Sequence, residues 1–166
     1  MKETALRTLR HEVQENSEKV ERIVTNILNE YARDLDNEID KIRHILDNSD
    51  EMTDNEIENI TMRLPVFMYY SVNGLENLGI ESDMAKAVKL EVYNNKYLES
   101  TGTIADKTHD AELQTMNEQV IETAFIRAYK KLKAKIDKAE HVFSGAKKVL
   151  SKRMLDMELN RTDKYT

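Results

Sequence analysis

From Asp106 to Leu159 the apolar residues return every three or four positions: Leu113, Met116, Val120, Ala124, Ala128, Leu132, Ile136, Ala139, Phe143, Ala146, Leu150, Met154 and Met157. That is the period of an α-helix with one buried stripe, and no proline interrupts it. At 1.5 Å per residue the stretch predicts one uninterrupted helix about 80 Å long. A chain of 166 residues has little with which to cover so long a stripe. Cover is therefore expected from the chain's own hairpin and from other copies of itself.

The rest of the composition agrees with a helical chain. With 40% hydrophobic and 34% charged residues, one proline and four glycines, it can build narrow seams but not a thick core. The absence of cysteine removes a disulfide framework, a thiolate nucleophile and a cysteine metal site. It also fits a reducing compartment, so a cytoplasmic location is expected. Met1 opens directly into charged helix and no run of 18 apolar residues occurs, so neither a signal peptide nor a membrane span is expected.

Residues 2 to 47 predict a first long helix. Leu6, Val13, Val20 and Ile27 stand seven apart, Leu9, Ile23 and Val24 fill intermediate positions, and Leu28, Leu35 and Ile42 continue after a shift near Tyr31. The pattern suits a helix in a bundle or an oligomeric coiled coil. Asn16 either sets register in that seam or faces solvent. A polar turn, Asp47 to Asp54, ends the helix; Met52 stands where a calcium loop needs glycine, and Thr53 with Glu56 reads instead as a capping box.

A short helical hairpin is predicted next. Pro65 is placed to open a helix running from Val66 to Leu78, with Gly79 as its C-terminal cap and Ser82 or Asp83 starting a further helix to Glu99. Asn73-Gly74 lacks any alternating strand pattern around it and reads as a weak point within a helix. Gly102 ends the segment, Thr103 or Asp106 begins the long final helix, and Arg161 to Thr166 fray. The fold class expected is all-α, an elongated long-helix bundle resembling a coiled coil with a short central hairpin. Residues 1–50 are expected to form an N-terminal long helix for oligomerisation or packing, and 51–166, the hairpin plus the long C-terminal helix, one continuous domain.

No motif carries catalytic chemistry. His11, His44, His109 and His141 are dispersed, and there is no HExxH, phosphate loop, GxSxG or dinucleotide fingerprint. Neither an enzyme, a cofactor nor a metal site is expected. Charge is the one uneven feature. The net charge is -6, yet Arg127 to Arg153 holds ten Lys or Arg against Asp137 and Glu140, a local +8 that leaves -14 for the remainder. At 100° per residue from Leu132, Arg127, Lys131, Lys135, Lys138, Lys152 and Arg153 fall on one flank, between about -60° and -160°. Such a row suits a nucleic-acid backbone, which carries regular charge and no sequence information. Pairing with the acidic N-terminal helix of a neighbour is the alternative. Gly145, on the same flank, either admits a phosphate backbone or marks a bend or tight helix contact. Tyr69, Tyr70, Tyr93, Tyr97 and Tyr129 either stack on bases or pack as core.

Leu64-Pro65 through Tyr69-Tyr70-Ser71, then Val92 to Gly102 (VYNNKYLESTG), and Tyr129 through Ser151-Lys152-Arg153 resemble the UvsY recombination mediators of tailed phages, over roughly residues 62 to 160. The resemblance implies a non-enzymatic homo-oligomer that binds single-stranded DNA and helps a RecA-type recombinase displace single-strand binding protein. It also implies that Lys96, and with it Lys89, contacts DNA, whereas Asn94 stands where the family can carry lysine. If the chain is phage-encoded, the compartment is the host cytoplasm. A helical structural or adaptor protein that binds no nucleic acid is the alternative function.

Overall fold

The computed structural model describes residues 2–48 and 52–162, with side chains from 10–47 and 52–160. It is all-α. Five helices follow one another: α1 (Lys2–Tyr31), α2 (Arg33–Asn48), α3 (Asp54–Glu99), α4 (Ile104–Gln114) and α5 (Met116–Thr162). No strand occurs among the described residues. Leu6 and Leu9, part of the turn at 47–54, and the chain end at 161–166 were subjects of sequence expectations whose side chains or backbone lie outside the described residues.

Several expected boundaries are corrected. The first helix is interrupted at Ala32, where the ladder resumes through the Asp36 amide donating to the Ala32 carbonyl at 2.8 Å. The Ser71 hydroxyl donates to the Tyr31 carbonyl at 3.2 Å, so a residue forty positions away satisfies the last carbonyl of α1. The final helix is likewise interrupted, at Thr115. Its amide is shared between the Ala111 and Glu112 carbonyls, and its hydroxyl donates to the Ala111 carbonyl at 2.9 Å, a back-bonding geometry that perturbs helices.

The predicted central hairpin is replaced by one helix. Pro65 lies inside α3, and Gly79 continues α3 instead of capping it. An internal proline costs about 3 kcal/mol, because the carbonyl four residues back loses its donor. Burial on one face offsets this: Ile57, Ile60, Leu64, Ser71, Gly74 and Leu78, spaced by threes, fours and one seven, are all buried. At Gly74 a Cβ would stand 2.8 Å from Tyr31 Cδ1, so the bare backbone there lets the ring lie against α3.

The local stop and start signals are found as expected. Thr53 and Glu56 form their capping box, with the Thr53 amide donating to Glu56 Oε2 at 2.7 Å and the Glu56 amide to Thr53 Oγ1 at 3.3 Å. It opens α3, a far longer helix than the sequence suggested. After α3, Gly102 takes φ +111°, and Thr103 with Asp106 forms the second box, opening α4.

The chain divides into two compact units: Met1–Glu30 with Leu75–Lys131, and Tyr31–Gly74 with Leu132–Thr166. Each draws on stretches from both sides of residue 50. The first unit buries Val20, Val24, Leu78, Ala111, Ala124 and Ala128. The second buries Ala32, Leu35, Ile42, Ile57, Ile60, Leu64, Leu132, Ile136 and Ala139. Three alanines of α5 are wholly inaccessible, the small side chains that let a helix approach its neighbours closely.

Candidate nucleic-acid interface

In the first unit, α5 carries Arg127 and Lys131, both exposed and without a hydrogen-bonding or ion-pair partner among the described residues. Lys130 beside them was not among the predicted contacts and is equally open. Lys89 of α3 is placed differently. Its ammonium donates to the buried Glu122 carboxylate at 2.6 Å and to Gln119 Oε1 at 2.9 Å. A buried carboxylate needs such a cation, so this lysine is spent inside the unit. Lys96 pairs with Glu99 at 2.9 Å, one turn along α3.

In the second unit the same division recurs. Lys138 and Lys152 are exposed and unpaired among the described residues, as are Lys133 and Lys148, which the sequence reading left out. Lys135 instead meets Asp36 of α2 at 2.5 Å. Arg153 donates to Asp54 Oδ1 at 2.7 Å and to the Met52 carbonyl at 2.6 Å, holding the start of α3. Of the expected cationic flank, Lys135 and Arg153 are thus paired with acids of their own chain, as are Lys89 and Lys96, the two α3 lysines that the resemblance implied.

Angular position on α5 explains which cations stay open. Lys135 and Arg153 sit at about -60° from the buried stripe, where a long side chain reaches acids on the packed helices. Arg127, Lys131, Lys138 and Lys152 sit at about -100° to -160°, beyond that reach. Periodicity gave the angle; where α2 and α3 place their carboxylates could not be read from it.

Acidic α2 does more than balance α5. Glu38, buried in the second unit, accepts from Arg63 Nε at 3.1 Å and Nη2 at 3.2 Å, and from Lys41 at 3.2 Å. The acidic helix thus pairs with cations of its own chain.

The tyrosines split as well. Tyr69 and Tyr70 are exposed on α3 in an edge arrangement with ring centres 5.8 Å apart. Tyr93 and Tyr97 stack at 6.4 Å with the Lys107 ammonium 5.9 Å over the Tyr97 ring, and Tyr129 is half-buried. Asn16, at the edge of the first unit's seam, is half-buried and lines a shallow cleft with Val13, Val20 and Arg127. Gly145 is in no tight helix contact, since a Cβ built there meets nothing within 4 Å. It lines an apolar cleft of about 440 Å³ in the second unit, with Ile42, Leu46, Ile57, Val142 and Val149. Among the described residues, Arg153 is the one ionisable group lining this cleft.

Among the described residues no three His, Cys, Asp or Glu side chains are placed to hold a metal ion, and no helix is long and apolar enough to cross a membrane. No family model, curated protein or solved structure matches the chain.

Proposed function

We propose that this protein is a non-enzymatic, self-associating helical protein that binds the backbone of single-stranded DNA through Arg127, Lys131, Lys138 and Lys152. The observation that carries this reading is the openness of those four side chains on α5, each exposed and without an acidic partner among the described residues. Guanidinium and ammonium groups held this way neutralise phosphates without reading bases. The similarity to UvsY-type mediators adds a place in recombination, with a RecA-type recombinase and single-strand binding protein as partners. The Lys135–Asp36, Arg153–Asp54 and Lys89–Glu122 pairs favour a second reading, a helical adaptor whose charges serve packing.

Titration of a labelled oligothymidylate at 50 and 200 mM salt separates the two. Four phosphate contacts on a single strand give a log–log salt slope of about -3, an affinity loss of roughly 50-fold over that range. The double variant Lys131→Glu with Lys138→Glu should lose binding with helicity unchanged, whereas Lys86→Glu, an exposed lysine on α3, should bind like the parent. Binding that is absent, or unaffected by salt, leaves the adaptor.

A further inference from the structure

Beside its exposed cations the first unit holds a small cleft between two helices. Gly79, Ser82 and Asp83 follow one another along one side of α3 at the spacing of a helical turn, and Ile126, Tyr129 and Lys130 do the same on α5. The two triplets line a cleft of about 300 Å³, and all six residues belong to this unit. That volume is at the small end of ligand clefts, room for one small planar molecule. Tyr129 forms a wall of it: its Cε2 stands 3.6 Å from where a Cβ on Gly79 would be, so bare backbone of α3 lies against the ring.

The polar groups of the cleft are uncommitted. Ser82, Asp83 and Lys130 have no hydrogen-bond or ion-pair partner among the described residues. The Asp83 carboxylate only accepts, and its charge repels phosphate; what it draws in is an uncharged group with N–H donors. The Ser82 hydroxyl adds a donor. Lys130 stands about 60° around α5 from Arg127 and about 100° from Lys131. A strand held by those two cations therefore runs past the rim of the cleft, with Lys130 placed to take a further phosphate.

We infer that the cleft takes one base of the bound strand, and that this base is guanine. On its pairing edge guanine alone of the four bases shows two N–H donors beside one carbonyl acceptor. A carboxylate and a hydroxyl are the complement of that set. Adenine and cytosine bring one donor to the edge, and thymine brings one N–H between two carbonyls that face the carboxylate unfavourably. Tyr129 and Ile126 supply the apolar surface against which a planar ring packs. Arg127 and Lys131 thus hold the backbone of any sequence, while Asp83 makes the protein prefer one base within it.

A base enters only from a bound strand, so this role of the cleft rests on the DNA binding proposed above. Competition among short oligothymidylates that differ at one central position tests it on the wild-type chain. The oligonucleotide with dG at that position should bind about five- to tenfold more tightly than the one with dT, and deoxyinosine, which lacks the N2 amine, should fall between them. Asp83→Asn should remove most of the preference, because an amide offers one acceptor oxygen where the carboxylate offers two. Glu91→Gln, at an exposed acid of α3 outside the cleft, should keep it. Failure of every oligonucleotide to bind overturns the DNA binding and this cleft with it. Equal affinity for dG and dT, equal affinity for dG and deoxyinosine, or a preference that survives Asp83→Asn overturns the base preference alone.

Discussion

Gly74 and Gly145 both lie within helices, yet they are glycine for different reasons. At Gly74 a methyl group would meet the Tyr31 Cβ and Cγ at 3.1 Å as well as its ring edge, and the root of a side chain cannot swing away. Gly74→Ala should therefore cost ~1–3 kcal/mol of overpacking, offset in part by ~1 kcal/mol of helix propensity. At Gly145 nothing opposes the methyl, so Gly145→Ala should raise stability by up to about 1 kcal/mol. Paired thermal melts check both signs. The two capping boxes give a pH dependence. Hydrogen bonds from the Thr53 backbone and then its side chain hold Glu56 below the usual glutamate value, and the Thr103 side chain and backbone do the same for Asp106, with His109 adding to it. A carboxyl lowered on folding contributes stability that is complete above its ordinary value and lost as the pH falls through the folded-state value. The Thr53 and Thr103 amide resonances should accordingly keep their capped positions through the range where free carboxylates titrate, and shift only at lower pH.

Among the elements, α3 departs furthest from local rules. Pro65→Ala returns a donor to the Thr61 carbonyl and should stabilise the protein by up to ~3 kcal/mol, a gain readable as a higher midpoint in urea. A loss would mean that the ring itself packs. The boxes at Thr53 and Thr103 and the turn at Gly102 were legible because each signal is complete within a few residues of sequence; of the long final stripe only the middle holds, since its members from Ala124 to Ala139 are buried while Leu113, Met116, Met154 and Met157 are exposed. The run of α3 through Pro65 and Gly79 was not, because it depends on burial of Leu64 and Leu78, and neighbouring residues do not encode that burial. The break after Tyr31 was equally hidden, since Ser71 acts on it from another helix. At the candidate interface, periodicity placed six of the ten cations between Arg127 and Arg153 on one flank. It could not tell that the two nearest the buried stripe, Lys135 and Arg153, would be claimed by Asp36 and Asp54.

At the scale of the molecule, charge and burial assign different tasks to the same helices. Helices α3 and α5 each contribute to both units, and α5 also carries Arg127, Lys131, Lys138 and Lys152, the four cations proposed to bind phosphate. Exchanging Asp36 for Asn should release Lys135 and add a cation to those available for phosphate. If the proposed binding holds, the salt slope of oligonucleotide binding should then steepen by about 0.7. An unchanged slope would place that lysine out of reach of the strand.

Both units need segments from far along the chain: the first runs to Lys131, and the second takes everything from Leu132 onward. On a ribosome adding roughly 5–20 residues per second, the opening hundred residues therefore wait several seconds before their covering segments are made. A nascent chain of this design holds its greasy surfaces bare until the stretches that cover them, through Lys131 for the first unit and from Leu132 onward for the second, have been made.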